Sequence, residues 1–76
     1  MSKLPADISP RDLVKVLQKK GFHFSREGQK HTIFEKGDGA DKIVISVPRH
    51  GPLKRGLLHG ILEDAAITVE EFNHLR

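Results

Sequence analysis

Five histidines, His23, His31, His50, His59 and His74, are the side chains of this sequence best suited to proton transfer, since it has no cysteine, tyrosine or tryptophan. Imidazole ordinarily titrates near ~6.5 and can give or take a proton at neutral pH. The absence of thiols removes cysteine nucleophiles, thiolate zinc sites and disulfides together. No two histidines have the i, i+4 spacing of a helical two-histidine metal site, and no acid recurs at ligand spacing, so no metal is expected. Asp38 and Asp41 sit in a Gly-rich stretch and read as turn residues, not as paired catalytic acids. No serine stands in a nucleophile-elbow sequence, which argues against a catalytic triad. Gly37 and Gly39 do not follow a strand and open a helix, as a dinucleotide loop requires, so a nucleotide cofactor is unsupported.

What remains is histidine chemistry beside positive charge. RNA carries its own nucleophile, the 2′-hydroxyl. One positioned acid or base, contributing on the order of 10²- to 10⁴-fold, and cations at the phosphate are a sufficient minimal site. His31 follows Lys30 and a turn at Gly28, with Arg26 close by on the facing strand. The other reading is an incidental histidine at a strand end, and spacing alone favours that one. His50, after Pro48-Arg49, suits either a phosphate contact or a loop-orienting hydrogen bond. Lys54 and Arg55 open a helix whose amide end attracts anions, or are simply solvated. His23, His59 and His74 have no cluster around them.

The charge supports a polyanionic partner. The net charge of +3 conceals an asymmetry: residues 1–60 carry twelve Lys/Arg against six Asp/Glu, net +6, and residues 61–76 carry one against four, net −3. A basic body suits nucleic acid, although an ordinary solvated surface has the same composition. Met1–Ile8 lacks the apolar run of a signal peptide, and no stretch approaches the ~20 apolar residues that span a bilayer. A cytoplasmic protein without membrane contact is expected.

The elements that must position these groups are short. Ser9 caps a helix with Pro10 at its first position, Leu13, Val14, Val16 and Leu17 form its apolar stripe, and Gly21 stops it. Phe22–Arg26, His31–Glu35 and Ile43–Val47 read as three strands, the last two separated by a Gly/Asp-rich loop over residues 36–42. If Thr32 and Phe34 face inward, His31, Ile33 and Glu35 face the other way; Ile33 inside is the alternative. Leu53, Leu57, Leu58, Ile61, Leu62 and Ala65 predict a second helix, and the capping box Thr68-Val69-Glu70-Glu71 a third, with Val69, Phe72 and Leu75 inward. The reading is an α+β fold, α-β-β-β-α-α, forming a single domain over residues 1–76, with a three-stranded antiparallel sheet packed by helices on one face. Domains that read double-stranded RNA share this order, an analogy that does not itself establish RNA binding.

The run Val47-Pro48-Arg49-His50-Gly51-Pro52-Leu53-Lys54-Arg55-Gly56-Leu57-Leu58, followed by Ile61-Leu62 and Ile67-Thr68-Val69-Glu70-Glu71-Phe72, resembles the C-terminal signature of HicA-like toxins. Ser9 to Phe22 resembles the opening helix and Gly-Phe of the same family. The resemblance implies a toxin that cleaves mRNA on a double-stranded-RNA-binding-like fold, uses no cofactor, and is silenced by a HicB-like antitoxin. It also implies that His31, matching the histidine of the family's Gly-Ser-His segment, is catalytic. Gln29 and Lys30 stand here in place of the usual Gly and Ser. Arg26, Lys30, Arg49, His50, Lys54 and Arg55 are the expected RNA contacts. Two rival readings are a non-catalytic RNA-binding module of the same fold and an interaction domain that acts only through its partner.

Overall fold

The computed structural model describes residues 3–76. Met1 and Ser2, which begin both the expected domain and the Met1–Ile8 segment, lie outside the described residues. The chain runs through α1 (Pro10–Lys19), β1 (His23–Glu27), β2 (His31–Lys36), β3 (Ile43–Pro48), α2 (Arg55–Asp64) and α3 (Val69–Leu75). This is the α+β order expected from the sequence. The loop before β3 holds one short helical turn, Gly39–Asp41, that the sequence did not announce.

The start of α1 follows its capping chemistry: Ser9 Oγ accepts the Asp12 amide at 3.2 Å, and Pro10 occupies the first turn, where no amide partner is needed. Leu13, Val16 and Leu17 are fully buried. At the other end Gly21 takes a left-handed φ of +95°, the Phe22 amide donates to Leu17 O at 2.9 Å and the Gly21 amide to Gln18 O at 3.1 Å. This double closure satisfies two free carbonyls and seats Phe22 in the core as the chain enters β1. Helix α2 ends with the same pair of bonds, Ile67 to Leu62 O at 2.9 Å and Ala66 to Glu63 O at 3.1 Å. Its left-handed residue, however, is Ala66 with φ +58°. A Cβ in that conformation crowds its own backbone.

The sheet is antiparallel in the order β1-β2-β3. Phe34, Ile45 and Val47 are buried and mark the packed face, so Phe34 rather than Ile33 points inward and alternation puts His31, Ile33 and Glu35 on the open face. The helices pack chiefly over β3. Strand β1 is therefore exposed along its whole length, and Phe24, which pairs with the buried Phe34, is itself 56% exposed. Its ring meets Phe34 edge-on, with centroids 6.2 Å apart.

The second helix differs from its sequence reading at one end. Leu53 is buried but precedes the helix, its amide donating to Ile8 O at 2.7 Å in an isolated antiparallel bridge. Helix α2 starts at Arg55 and buries Leu58, Ile61 and Leu62. Leu57 lies about a quarter-turn off that stripe and is 50% exposed. Helix α3 forms as its capping box predicts: Thr68 Oγ1 accepts the Glu71 amide while the Glu71 carboxylate accepts the Thr68 amide, each at 3.1 Å. Phe72 is buried, and Val69 and Leu75 pack against the core from its margin. Glu71 also pairs with Lys20, tying α3 to the end of α1.

The Lys20 ammonium, and then the Thr68 amide, hold the Glu71 carboxyl down to a pKa of about 2 from 4.5. The unfolded chain therefore binds more protons than the folded one between these values, and stability falls as pH drops through about 4.5 toward about 2. Urea unfolding between pH 5 and pH 2 should show a smaller acid-induced loss in Glu71→Gln than in the parent. For the two helix ends, Ala66→Gly should stabilise by about 0.5–1 kcal/mol, while Gly21→Ala should destabilise by about 1 kcal/mol or more, both read as shifts in the urea midpoint.

Candidate active site

The β1–β2 hairpin carries the central candidate. Glu27 pairs with Thr32, and the Gly28 amide donates to His31 O at 2.7 Å, leaving Gln29 and Lys30 as the tip. Two-residue hairpin tips usually need left-handed backbone, supplied by Gly, Asn or Asp. Neither tip residue is one of these, and neither has a positive φ. The tip is a bend closed only by the Gly28 amide on His31 O, without the reciprocal bond from the His31 amide to Gly28 O.

Its carbonyls are satisfied from β3 instead. His31 pairs with Pro48, and the next residue, Arg49, donates its amide to Lys30 O at 2.9 Å. The Arg49 guanidinium donates to Gly28 O at 3.2 Å and Gln29 O at 3.3 Å. It also lies 3.7 Å from the Glu27 carboxylate. One residue thus meets the carbonyls of Gly28, Gln29 and Lys30 in succession.

His31 stands at the head of β2 on the open face, exposed, and its ring has no hydrogen-bond partner among the described residues. Arg26 faces Ile33 across the ladder, a diagonal cross-strand position from His31 on the same face. A register shift between Phe24 and Arg26 puts it there, because the extra residue, Ser25, moves Arg26 one place along the partner strand. Lys30 is exposed at the tip, and His50 is exposed one residue beyond Arg49. The nearby carboxylates are engaged elsewhere. Glu27 faces Arg49, and Glu35 pairs with Lys42 at 2.9 Å and accepts from Ser25 Oγ at 2.9 Å. The Lys42 and Ser25 hydrogen bonds hold the Glu35 carboxyl below its ordinary value.

Of the six cationic or histidine positions expected around His31, the hairpin end gathers Arg26, Lys30, Arg49 and His50. Lys54 and Arg55 form a separate corner. Arg55 Nε donates to Leu4 O at 3.0 Å, and Arg55 lines a cleft of about 490 Å³ with Lys3, Leu4, Gly56, His59 and Val69. Lys54 is exposed at the start of α2, where its side chain makes no capping bond. Among the described residues no hydrogen bond or ion pair joins this corner to the hairpin. No three His, Cys, Asp or Glu side chains converge as a metal-ligating group among the described residues.

The bonding of Arg49 to the tip was not read from the sequence. The available signal was the tip itself: Gln29-Lys30 lacks turn chemistry, so its backbone must be satisfied from elsewhere.

The sequence model of the family described as "HicA toxin of bacterial toxin-antitoxin" matches residues 10–67 of the 76-residue chain, spanning α1 through the end of α2. No curated protein matches the chain.

The loop that carries Arg49 and His50 is set against α1 at Gly51, where an added Cβ would stand 2.5 Å from Pro10 Cδ, an approach a rigid ring cannot relieve. Gly51→Ala should therefore destabilise by about 1–3 kcal/mol, measured by urea unfolding. Gly60→Ala, in open space within α2, should instead stabilise by about 0.5–1 kcal/mol.

Proposed function

Because the chain belongs to the HicA toxin family, the toxin component of bacterial toxin–antitoxin systems, we propose that it is an mRNA interferase, an endoribonuclease with His31 as its general acid or base. The RNA 2′-oxygen attacks the adjacent phosphorus, the bond to the 5′-oxygen breaks, and His31 carries one of the two proton transfers. The step uses no metal and no cofactor. Arg26, Lys30 and His50 contact phosphates around the scissile bond, and Lys54 and Arg55 extend the contact along the strand at the start of α2.

One observation carries this reading. The His31 ring is exposed and unpartnered at a hairpin end flanked by Arg26, Lys30 and His50, while the neighbouring carboxylates Glu27 and Glu35 face other cations. The local field therefore favours a phosphodiester and leaves the imidazole accessible to it. The substrate class sets the compartment, since mRNA is met in the cytoplasm. No helix among the described residues is long and apolar enough to cross a membrane. A toxin of this family has an antitoxin partner; a HicB-like protein that covers the hairpin end would silence the site by excluding RNA.

His31→Ala is the test. Its position is exposed, so the variant should unfold within about 0.5 kcal/mol of the parent. RNA affinity should be retained while cleavage falls on the order of 10²- to 10⁴-fold, and growth arrest on expression should disappear with it. Undiminished cleavage would remove His31 from the step. Salt-dependent RNA binding by a parent that yields no products would identify a non-catalytic RNA-binding module instead.

A further inference from the structure

We propose that Arg49 is a positioning residue for His31: it holds the β1–β2 tip in shape from across the sheet, in place of the turn residues that the tip lacks. The inference rests on the assignment of His31 above and deepens it, since it states what keeps that imidazole at a defined place on an exposed hairpin. In the sequence reading Arg49 was one more phosphate contact. Its geometry points inward, to the protein's own backbone.

A hairpin tip without left-handed residues splays its strands, and a tip that lacks the amide bond onto its first carbonyl leaves that carbonyl, like those of the two tip residues, in need of another donor. Gln29-Lys30 has both deficits. Arg49 compensates for both. Its amide continues the β2–β3 ladder onto Lys30 O, and its guanidinium Nη1 donates to both Gly28 O and Gln29 O. Glu27, 3.7 Å from Arg49 Nε, holds the guanidinium from the other strand. The residues so bonded are the three that immediately precede His31, and the Gly28 amide bonds the His31 carbonyl directly. Movement of the tip therefore moves the backbone from which the imidazole projects. The planar guanidinium sets Nη1 on the two carbonyls and Nε toward Glu27 at once; an ammonium has a single nitrogen and cannot span both sides.

A phosphate contact and a brace predict opposite behaviour. Arg49→Ala and Arg49→Lys would be compared with the parent and with His31→Ala, reading single-turnover cleavage, RNA affinity against salt, and amide hydrogen exchange of the free protein. The expected result for Arg49→Ala is about tenfold faster exchange at the Gly28 amide, following loss of the bonds that order the tip. The cleavage rate should fall roughly ten- to a hundredfold, with RNA affinity within about twofold and the salt slope unchanged. Arg49→Lys should keep the charge and fail to restore either exchange or rate. If instead Arg49→Ala weakens RNA binding, lowers the salt slope by about one and leaves Gly28 exchange as in the parent, with Lys restoring affinity, the inference is overturned. Exchange is measured without RNA, so it decides the brace separately. Full cleavage by His31→Ala would defeat the assignment of His31 while leaving the exchange result readable.

Discussion

The unbroken antiparallel pairing of β2 with β3 is the constraint on which the rest of the molecule depends. It runs in register from Lys36–Ile43 to His31–Pro48, and along it Phe34, Ile45 and Val47 turn to one face and His31 to the other. A one-residue slip would exchange these faces, putting Ile33 or Glu35 in the place of Phe34 and turning His31 to the packed side, which the apolar core disfavours. The same register sets Arg49 opposite Lys30, so hydrophobic burial on one side of the sheet fixes the polar arrangement at its end. In a chain of 76 residues, which buries only roughly 60% of its unfolded surface, a site built on a ladder end needs no deep cavity.

Electrostatics arrange the surface more than they hold the fold. Helix α2 is charged against its own dipole, with Arg55 in its first turn and Glu63 and Asp64 in its last. Each such placement is unfavourable by about 0.3–1 kcal/mol at low salt, so the helix is held by the burial of Leu58, Ile61 and Leu62. Charges of this helix are free to serve other ends, as Arg55 does in holding Leu4. At the hairpin end, pairing Glu35 with Lys42 and Glu27 with Arg49 keeps acidic groups off the open corner where Lys30 and His31 stand. The acidic segment after residue 60 is bound partly into the fold, since Glu71 caps α3 and pairs with Lys20.

How much of this was legible in the sequence depends on how local the cause is. Ser9, Pro10 and Gly21 bracket α1, and Thr68 and Glu71 start α3, because capping acts within three or four residues and uses distinctive side chains. The three strands followed from alternation. Alternation does not reveal that Phe24 is exposed, because whether a residue on the packed face is covered depends on where the helices lie over the sheet, and they lie over β3. Leu53 fitted a helical stripe and is held in a bridge to Ile8, a partner 45 residues earlier in the chain. Ala66 stands where glycine is the usual signal, so the end of α2 had no marker.

The candidate site divides along the same line. His31, Lys30, Arg26 and His50 were singled out as candidates from residue type and nearness to turns, and the family from motifs along the chain; both are properties a linear sequence holds. Only the tertiary structure decided that His31 faces outward, that Lys54 and Arg55 belong to another corner, and that Arg49 reaches the carbonyls of Gly28 and Gln29. Those facts rest on strand register and on which face the helices cover. Register is chosen by burying Phe34, Ile45 and Val47 together, an interaction between residues distant in sequence that no local pattern encodes.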